Sequence, residues 1–383
     1  MRRFFIVILL LSVTLCSSAQ RRRRTKTPPP PTAEELAEQR RQALFEQKLN
    51  MTAKVTFIDS LLLKRQELMD VLSIGSENGS IGECAPFFGL PEPDTLFCTL
   101  FRSQLGDKII FAHPDAEGVP HLYGSELIGD RWSESLLLPG LEDTVSRNHP
   151  FMLSDGITLY FASKGEESLG GYDIFMTRWD DDNRRFLKPE NIGMPFNSKG
   201  NDYLYVVDEY NQLGWFVTDR GLSPDSICLY TFIPEETRQI YNTATIGRDT
   251  LVALAEIHSI RDTWTDEKRV SEAKKRLEEV KNTIKKARQS GIYFIINDNI
   301  IYTDLSQFRT KEGLSLAQKC IELYEQRNSL VSKLEELRRS FKDSPAEARS
   351  SMRTDILQKE QQLTNLSNSI HNLEKELRSY EQR

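Results

Sequence analysis

Five histidines, His113, His121, His149, His258 and His371, are the first residues to ask about chemistry, and none stands in a metal-binding spacing. HExxH, a G-x-S-x-G nucleophile elbow and a Walker A loop are all absent from the sequence. His149 precedes Pro150, which suits a loop better than a ligand set. Asp180-Asp181-Asp182-Asn183 gathers oxygens of the kind calcium takes. The later glutamate of an EF-hand is missing, so the cluster reads as a solvated turn between two strands. Gly170-Gly171 reads as a turn, not a phosphate cradle. Asp155 and Asp173 fall in turns, where an aspartate hydrogen-bonds backbone. Trp132, Trp179 and Trp215 read as packing residues, with stacking on a ligand open to any that is exposed. No catalytic, cofactor-binding or metal residue is assigned, and a non-enzymatic protein is expected.

The termini and cysteines bound the class. The chain has 383 residues, 28% of them charged, with a net charge of -6. That balance leaves no overall basic footprint for nucleic acid. Arg2 and Arg3, the apolar run Phe4 to Leu15 and the small residues Ser17-Ser18-Ala19 read as a secretory signal peptide over 1–19, cleaved between Ala19 and Gln20. Acylation at Cys16 is the rival reading, against which Leu15 occupies a position that normally takes a small residue. Cleavage would leave Cys84, Cys98, Cys228 and Cys320; a Cys84–Cys98 bridge and two buried thiols are both open. Residues 20–32, RRRRTKTPPPPT at their core, read as an extended basic linker.

A helix is expected over 33–51, opened by a Thr32/Glu35 capping box. Lys54 to Leu63 reads as a strand, and the rest of 52–95 as irregular. From 96 to 240 the chain is rich in aromatics, glycines and short apolar runs. Phe111, Phe161 and Phe216 recur at intervals of 50 and 55 residues, and Tyr123, Phe175 and Tyr230 at 52 and 55. Around the middle pair, Ser154-Asp155-Gly156 and Gly170-Gly171-Tyr172-Asp173 supply turns. A period of this size with about four short strands is what a propeller blade shows.

At this point SDGITLYFASKGEESLGGYDIFMTRW resembles the WD40-like (PD40) repeat of TolB-type β-propellers in Gram-negative cell envelopes. The resemblance implies a β-propeller-like all-β domain of about three to five blades, closed or incomplete. Missing strands could come from Lys54–Leu63 and from Ile292–Thr303. It also implies an envelope setting, with a secretion-related complex among the possible partners.

Beyond the repeats, 250–290 reads as helical, with a heptad seam through Val270, Ala273, Leu277, Val280, Ile284 and Ala287. Residues 291–304 read as a β-hairpin. An antiparallel coiled-coil hairpin is expected over 313–383. One arm carries Leu316, Cys320, Leu323, Leu330, Leu334 and Leu337; the other carries Ile356, Leu363, Leu366, Ile370, Leu373 and Leu377. Pro345 is expected at the first helical position of the second arm. A third helix, either 266–289 or one from a second copy, is expected to cover the seam.

The resulting expectation is an exported, non-enzymatic scaffold of the periplasm or outer membrane. Its propeller would bind a protein or glycan partner, and 313–383 would mediate assembly. A peptidoglycan or surface-glycan binding module is the alternative, and a propeller-based hydrolase the third reading.

Overall fold

The computed structural model describes residues 32–382 apart from 73, 85–97, 129–130, 166, 291, 298–299 and 344. The expected signal peptide, its cleavage site at Ala19 and Gln20, Cys16 and most of the basic linker lie outside the described residues. So do Gly291 and Ser344, which the sequence places at helix caps. The chain divides into two units at Gln42/Ala43. Thr32 caps helix α1 (Ala33–Asn50), which begins in the first and ends in the second: the Glu35 amide donates to its hydroxyl at 3.2 Å.

In the second unit the chain builds antiparallel sheets, followed by helices towards the C-terminus. The first sheet holds β2 (Ser80–Glu83), β3 (Thr99–Arg102), β4 (Lys108–Pro114) and β5 (Pro120–Ile128), edged by β6 (Arg131–Trp132) and β7 (Leu136–Leu137). The second holds β8 (Arg147–Met152), β9 (Thr158–Ser163) and β10 (Asp173–Asp180), edged by β11 (Arg185–Phe186) and β12 (Glu190–Asn191). The third holds β13 (Asp202–Asp208), β14 (Leu213–Thr218) and β15 (Ser226–Ile233). Its fourth strand is β1 (Thr56–Lys64), from far upstream, with Ser60 opposite Tyr230. Successive sheets are neighbours: β8 runs alongside β3, β4 and β5, and β13 alongside β8, β9 and β10.

The repeating aromatics occupy one register position in each sheet. Phe111 faces Tyr123, Phe161 faces Phe175 and Phe216 faces Tyr230 across the β4–β5, β9–β10 and β14–β15 ladders. Facing residues of an antiparallel pair share a side of the sheet. Each pair therefore stacks, with centroids 5.8, 6.4 and 5.8 Å apart. Trp132 lies opposite Leu127 as Phe186 lies opposite Trp179, four residues beyond the aromatic in each case.

The third sheet draws on chain outside 96–240 for its fourth strand and for the cover of one side. One side of the third sheet presents Trp215, Val217 and Leu229, all buried. That apolar side is covered by α2 (Leu68–Val71) and by α4 (Glu267–Ser290), after α3 (Arg248–Ala255). Val270, Ala273, Leu277 and Val280 of α4 join the same core cluster. The expected heptad seam thus packs on a sheet, not on the C-terminal helices, because an apolar stripe at helical spacing does not specify its partner. Trp264 Nε1 donates to the Phe57 carbonyl at 2.7 Å, and the Phe57 amide donates to Thr263 Oγ1 at 3.1 Å. Those bonds occupy the otherwise open edge of β1 at that residue.

Residues 294–302 complete no sheet, contrary to one expectation. β16 (Phe294–Asn297) and β17 (Ile300–Tyr302) pair with each other alone. Phe294, Ile296 and Tyr302 are buried against Leu316, Ala317 and Cys320 of α5 (Lys311–Asp343) and Leu377 of α6 (Ala346–Glu381). The two long helices run antiparallel, with Tyr324 bonded to Glu374 and Arg338 to Glu360. Pro345 is the N-cap of α6, not its first helical residue, since its ψ of 156° is extended.

The Glu381 carboxylate latches the small hairpin to the helices. It accepts from Tyr302 Oη at 3.1 Å, the Arg309 and Thr310 amides at 2.9 and 3.0 Å, and Thr310 Oγ1 at 2.6 Å. Burial alone would raise its pKa. The Thr310 hydroxyl and the two amides outweigh burial and hold it below the usual range. Bonds to a charged group carry about 1.5–3 kcal/mol. Glu381→Ala is therefore expected to speed amide exchange in 294–302 by about a hundredfold. Unchanged exchange there would remove the latch from this description.

Candidate functional site

The motif aspartates and glycines have distinct structural tasks. Asp155 Oδ1 accepts from the Ile157 and Thr158 amides, both at 2.8 Å, and Gly156 takes a left-handed φ of 66°. Gly171 instead answers a close approach: a Cβ there would lie 2.0 Å from Asn201 Oδ1. Asp180 accepts from the Asp182 and Asn183 amides and from Asn183 Nδ2, so its carboxylate serves its own turn. Among the described residues no group of three or more His, Cys, Asp or Glu side chains is arranged to hold a metal ion. Trp215 is buried under α4, and Trp179 donates from Nε1 to Asp181 at 2.8 Å.

One end of the sheets, where inner strands begin, carries buried charge. Asp173 Oδ2 accepts from the Leu169 amide and Asn191 Nδ2, while Oδ1 has no hydrogen-bond partner among the described residues. Burial first, and nearby Asp202 second, push its pKa up to about 7. His149, in a bulge of β8 with φ 53°, is buried near Tyr172, Tyr203 and Thr99. Burial, helped by Arg65, lowers its pKa to about 3. The imidazole is therefore a neutral core group at ordinary pH.

Asp202, fully buried, pairs with Arg220 at 3.0 Å. The same guanidinium donates to the carbonyls of Pro195 and Phe196 at 2.9 and 2.8 Å. Asn197 exchanges two bonds with the Ile174 backbone, at 2.7 and 2.8 Å. Together these fix the link between the second and third sheets, and with it the ring of Phe196.

Phe196 helps to floor a lateral cleft of about 400 Å³ between those two sheets. Tyr160 of β9 and Tyr205 of β13 meet there with centroids 4.6 Å apart. Tyr205 also touches Phe196 at 4.8 Å and Phe232 at 5.3 Å. Burial pushes the Tyr160 phenol up to about 12 and raises Tyr205 well above its ordinary value. Both hydroxyls therefore stay protonated, and among the described residues neither has a hydrogen-bond partner. Glu190, Glu235, Glu236, Lys54 and Arg238 also line the cleft. Its volume falls in the range of ligand pockets, which pair apolar walls with a few convergent polar groups. The arrangement can bury an apolar or planar group, hydrogen-bond it at two phenols and meet charge at the rim.

The repeat reading did not single out Tyr160, Phe196, Tyr205 or Phe232. Alternation along the strands could have found Tyr160, since it points to the opposite side from Phe161. Tyr205 and Phe196 come from segments with no shared spacing. Phe111, Phe161 and Phe216 lie in sheet cores and not in this cleft. Compared with known proteins, the chain matches no family model, no curated protein and no solved structure.

Proposed function

We propose that this chain is a non-enzymatic scaffold of the cell envelope, built on a three-bladed, propeller-like module that binds an extended peptide segment of a protein partner. The observation that carries the reading is the lateral cleft, with its paired Tyr160 and Tyr205 rings and two protonated hydroxyls that find no hydrogen-bond partner among the described residues. An apolar or aromatic side chain would enter the floor, and the phenols would meet peptide amides. The far-upstream origin of β1, the fourth strand of the third sheet, supports the propeller-like reading, since it ties distant segments into one sheet. Export rests on residues 1–19 of the sequence. The long helices α5 and α6 would set spacing or join the module to an envelope assembly, with a homo-oligomer through 313–383 as one form of it.

Co-purification from envelope fractions, repeated with cleft variants, tests this. An aromatic anchor in a binding pocket commonly carries about 2 kcal/mol or more. Tyr160→Ala is therefore expected to weaken retention of the specific partner at least about tenfold, with Tyr205→Phe affecting it less. Retention unchanged in both variants would remove the cleft from the binding surface. A glycan reading is favoured by the same aromatic floor and carboxylate rim. Sedimentation with purified cell-wall sacculi, lost in Tyr160→Ala, would replace the peptide by a glycan.

A further inference from the structure

We propose that Cys84 and Cys98 join in a cross-strand disulfide when the chain folds in the presence of a disulfide donor. The two residues continue the ladder between β2 and β3, which pairs Ser80 with Arg102 and Glu83 with Thr99. One rung further, the Cys84 amide donates to the Cys98 carbonyl at 3.0 Å. That bond puts the two cysteines directly opposite each other, with their side chains on one side of the sheet. Facing residues in a hydrogen-bonded rung have Cα atoms about 5.5 Å apart. Disulfides span Cα separations of about 4.4–6.8 Å. No disulfide is present at this rung. The Cys84 thiol donates to the Ala112 carbonyl at 3.3 Å, and Cys98 Sγ lies 4.0 Å from Asn148 Nδ2. Forming the bridge takes rotation of both side chains about χ1 and a narrowing of the rung, because a hydrogen-bonded pair holds its Cβ atoms up to about 5.5 Å apart and a disulfide about 3.5–4.5 Å.

The other thiols lack this geometry. Cys228 faces Thr218 and Leu62 across its two ladders, and Cys320 lies inside the helical core. The bridge forms by thiol–disulfide exchange. One cysteine thiolate attacks a sulfur of the donor disulfide, forming a mixed disulfide and releasing one donor thiolate. The second cysteine thiolate attacks the mixed disulfide and releases the other. Two protein thiols and one donor disulfide thus become one protein disulfide and two donor thiols, which carry the two protons.

Full-length protein refolded with oxidised and reduced glutathione, then denatured and alkylated, tests the proposal. The expected result is a loss of two alkylatable thiols relative to protein refolded with reducing agent. Peptide mapping should find Cys84 linked to Cys98, and Cys84→Ser and Cys98→Ser should each abolish that link. Full alkylation of the refolded protein, or a mapped link between other cysteines, would overturn it. Mapping on the unmodified sequence keeps the test valid if a serine variant fails to fold.

Discussion

Between pH 3.8 and 6.5 the contributions of His149 and Asp173 to unfolding free energy are expected nearly to cancel, because their slopes are opposite there. The folded chain holds the His149 imidazole neutral down to about pH 3, against 6.5 for an ordinary histidine. Its stabilisation is complete above 6.5 and is lost as pH falls towards 3. Asp173 behaves in the reverse sense: its folded pKa of about 7 stands above the ordinary 3.8. That contribution is complete below 3.8 and is lost as pH rises through 7. Each group alone changes stability by about 1.4 kcal/mol per pH unit, on the order of 4 kcal/mol across its window. Asp173→Asn should therefore stabilise the chain at pH 8 and expose a steady loss on acidification from 6.5. His149→Asn, which tolerates the left-handed backbone, should instead show stability falling as pH rises from 4 to 7. Denaturant unfolding followed across this range gives the slopes directly. Parallel profiles for both variants would show that neither group titrates as its burial requires.

The antiparallel sheets and the C-terminal helices were legible because their signals are local. A phenylalanine opposite another aromatic on the next strand leaves a spacing near fifty residues wherever four short strands repeat. Helix α6 announces itself by leucines and isoleucines at three- and four-residue steps. Partners were much less legible. Val270, Ala273, Leu277 and Val280 would be spaced the same way under a helix or a sheet, and the structure sets them on Trp215 and Leu229. Ile295 pairs with Ile301 in a short hairpin, and nothing in such a short run says which core will receive it. The cleft was invisible for a related reason. Tyr160, Phe196, Tyr205 and Phe232 lie on four segments whose meeting depends on the Asp202–Arg220 pair and on Asn197.

The stacked rings give the second large effect. Phe161 and Phe216 are almost fully buried, at 1% and 0% exposure, and belong to separate core clusters. Phe161 stacks on Phe175 and lies under Arg147, 5.9 Å from its guanidinium carbon. Phe216 meets Phe196 edge-on at 5.6 Å and carries Arg220 at 5.0 Å. Truncation of a buried phenylalanine removes its transfer free energy and leaves a cavity, about 3–5 kcal/mol in all. Phe161→Ala and Phe216→Ala should each lower unfolding free energy by that amount, and Phe111→Ala by a similar one. Two such losses together approach the whole stability of an ordinary domain, so coupling is better read with leucine. Phe161→Leu and Phe216→Leu, each costing about 1 kcal/mol, should add within about 0.5 kcal/mol, since the rings share no direct contact. A loss under about 1 kcal/mol for alanine at any of the three positions would mean that the fifty-residue spacing does not mark equivalent core sites. A strongly non-additive leucine pair would mean that the cores of the second and third sheets are coupled, with the Tyr160–Tyr205 contact as the nearest ring contact between those sheets to mutate next.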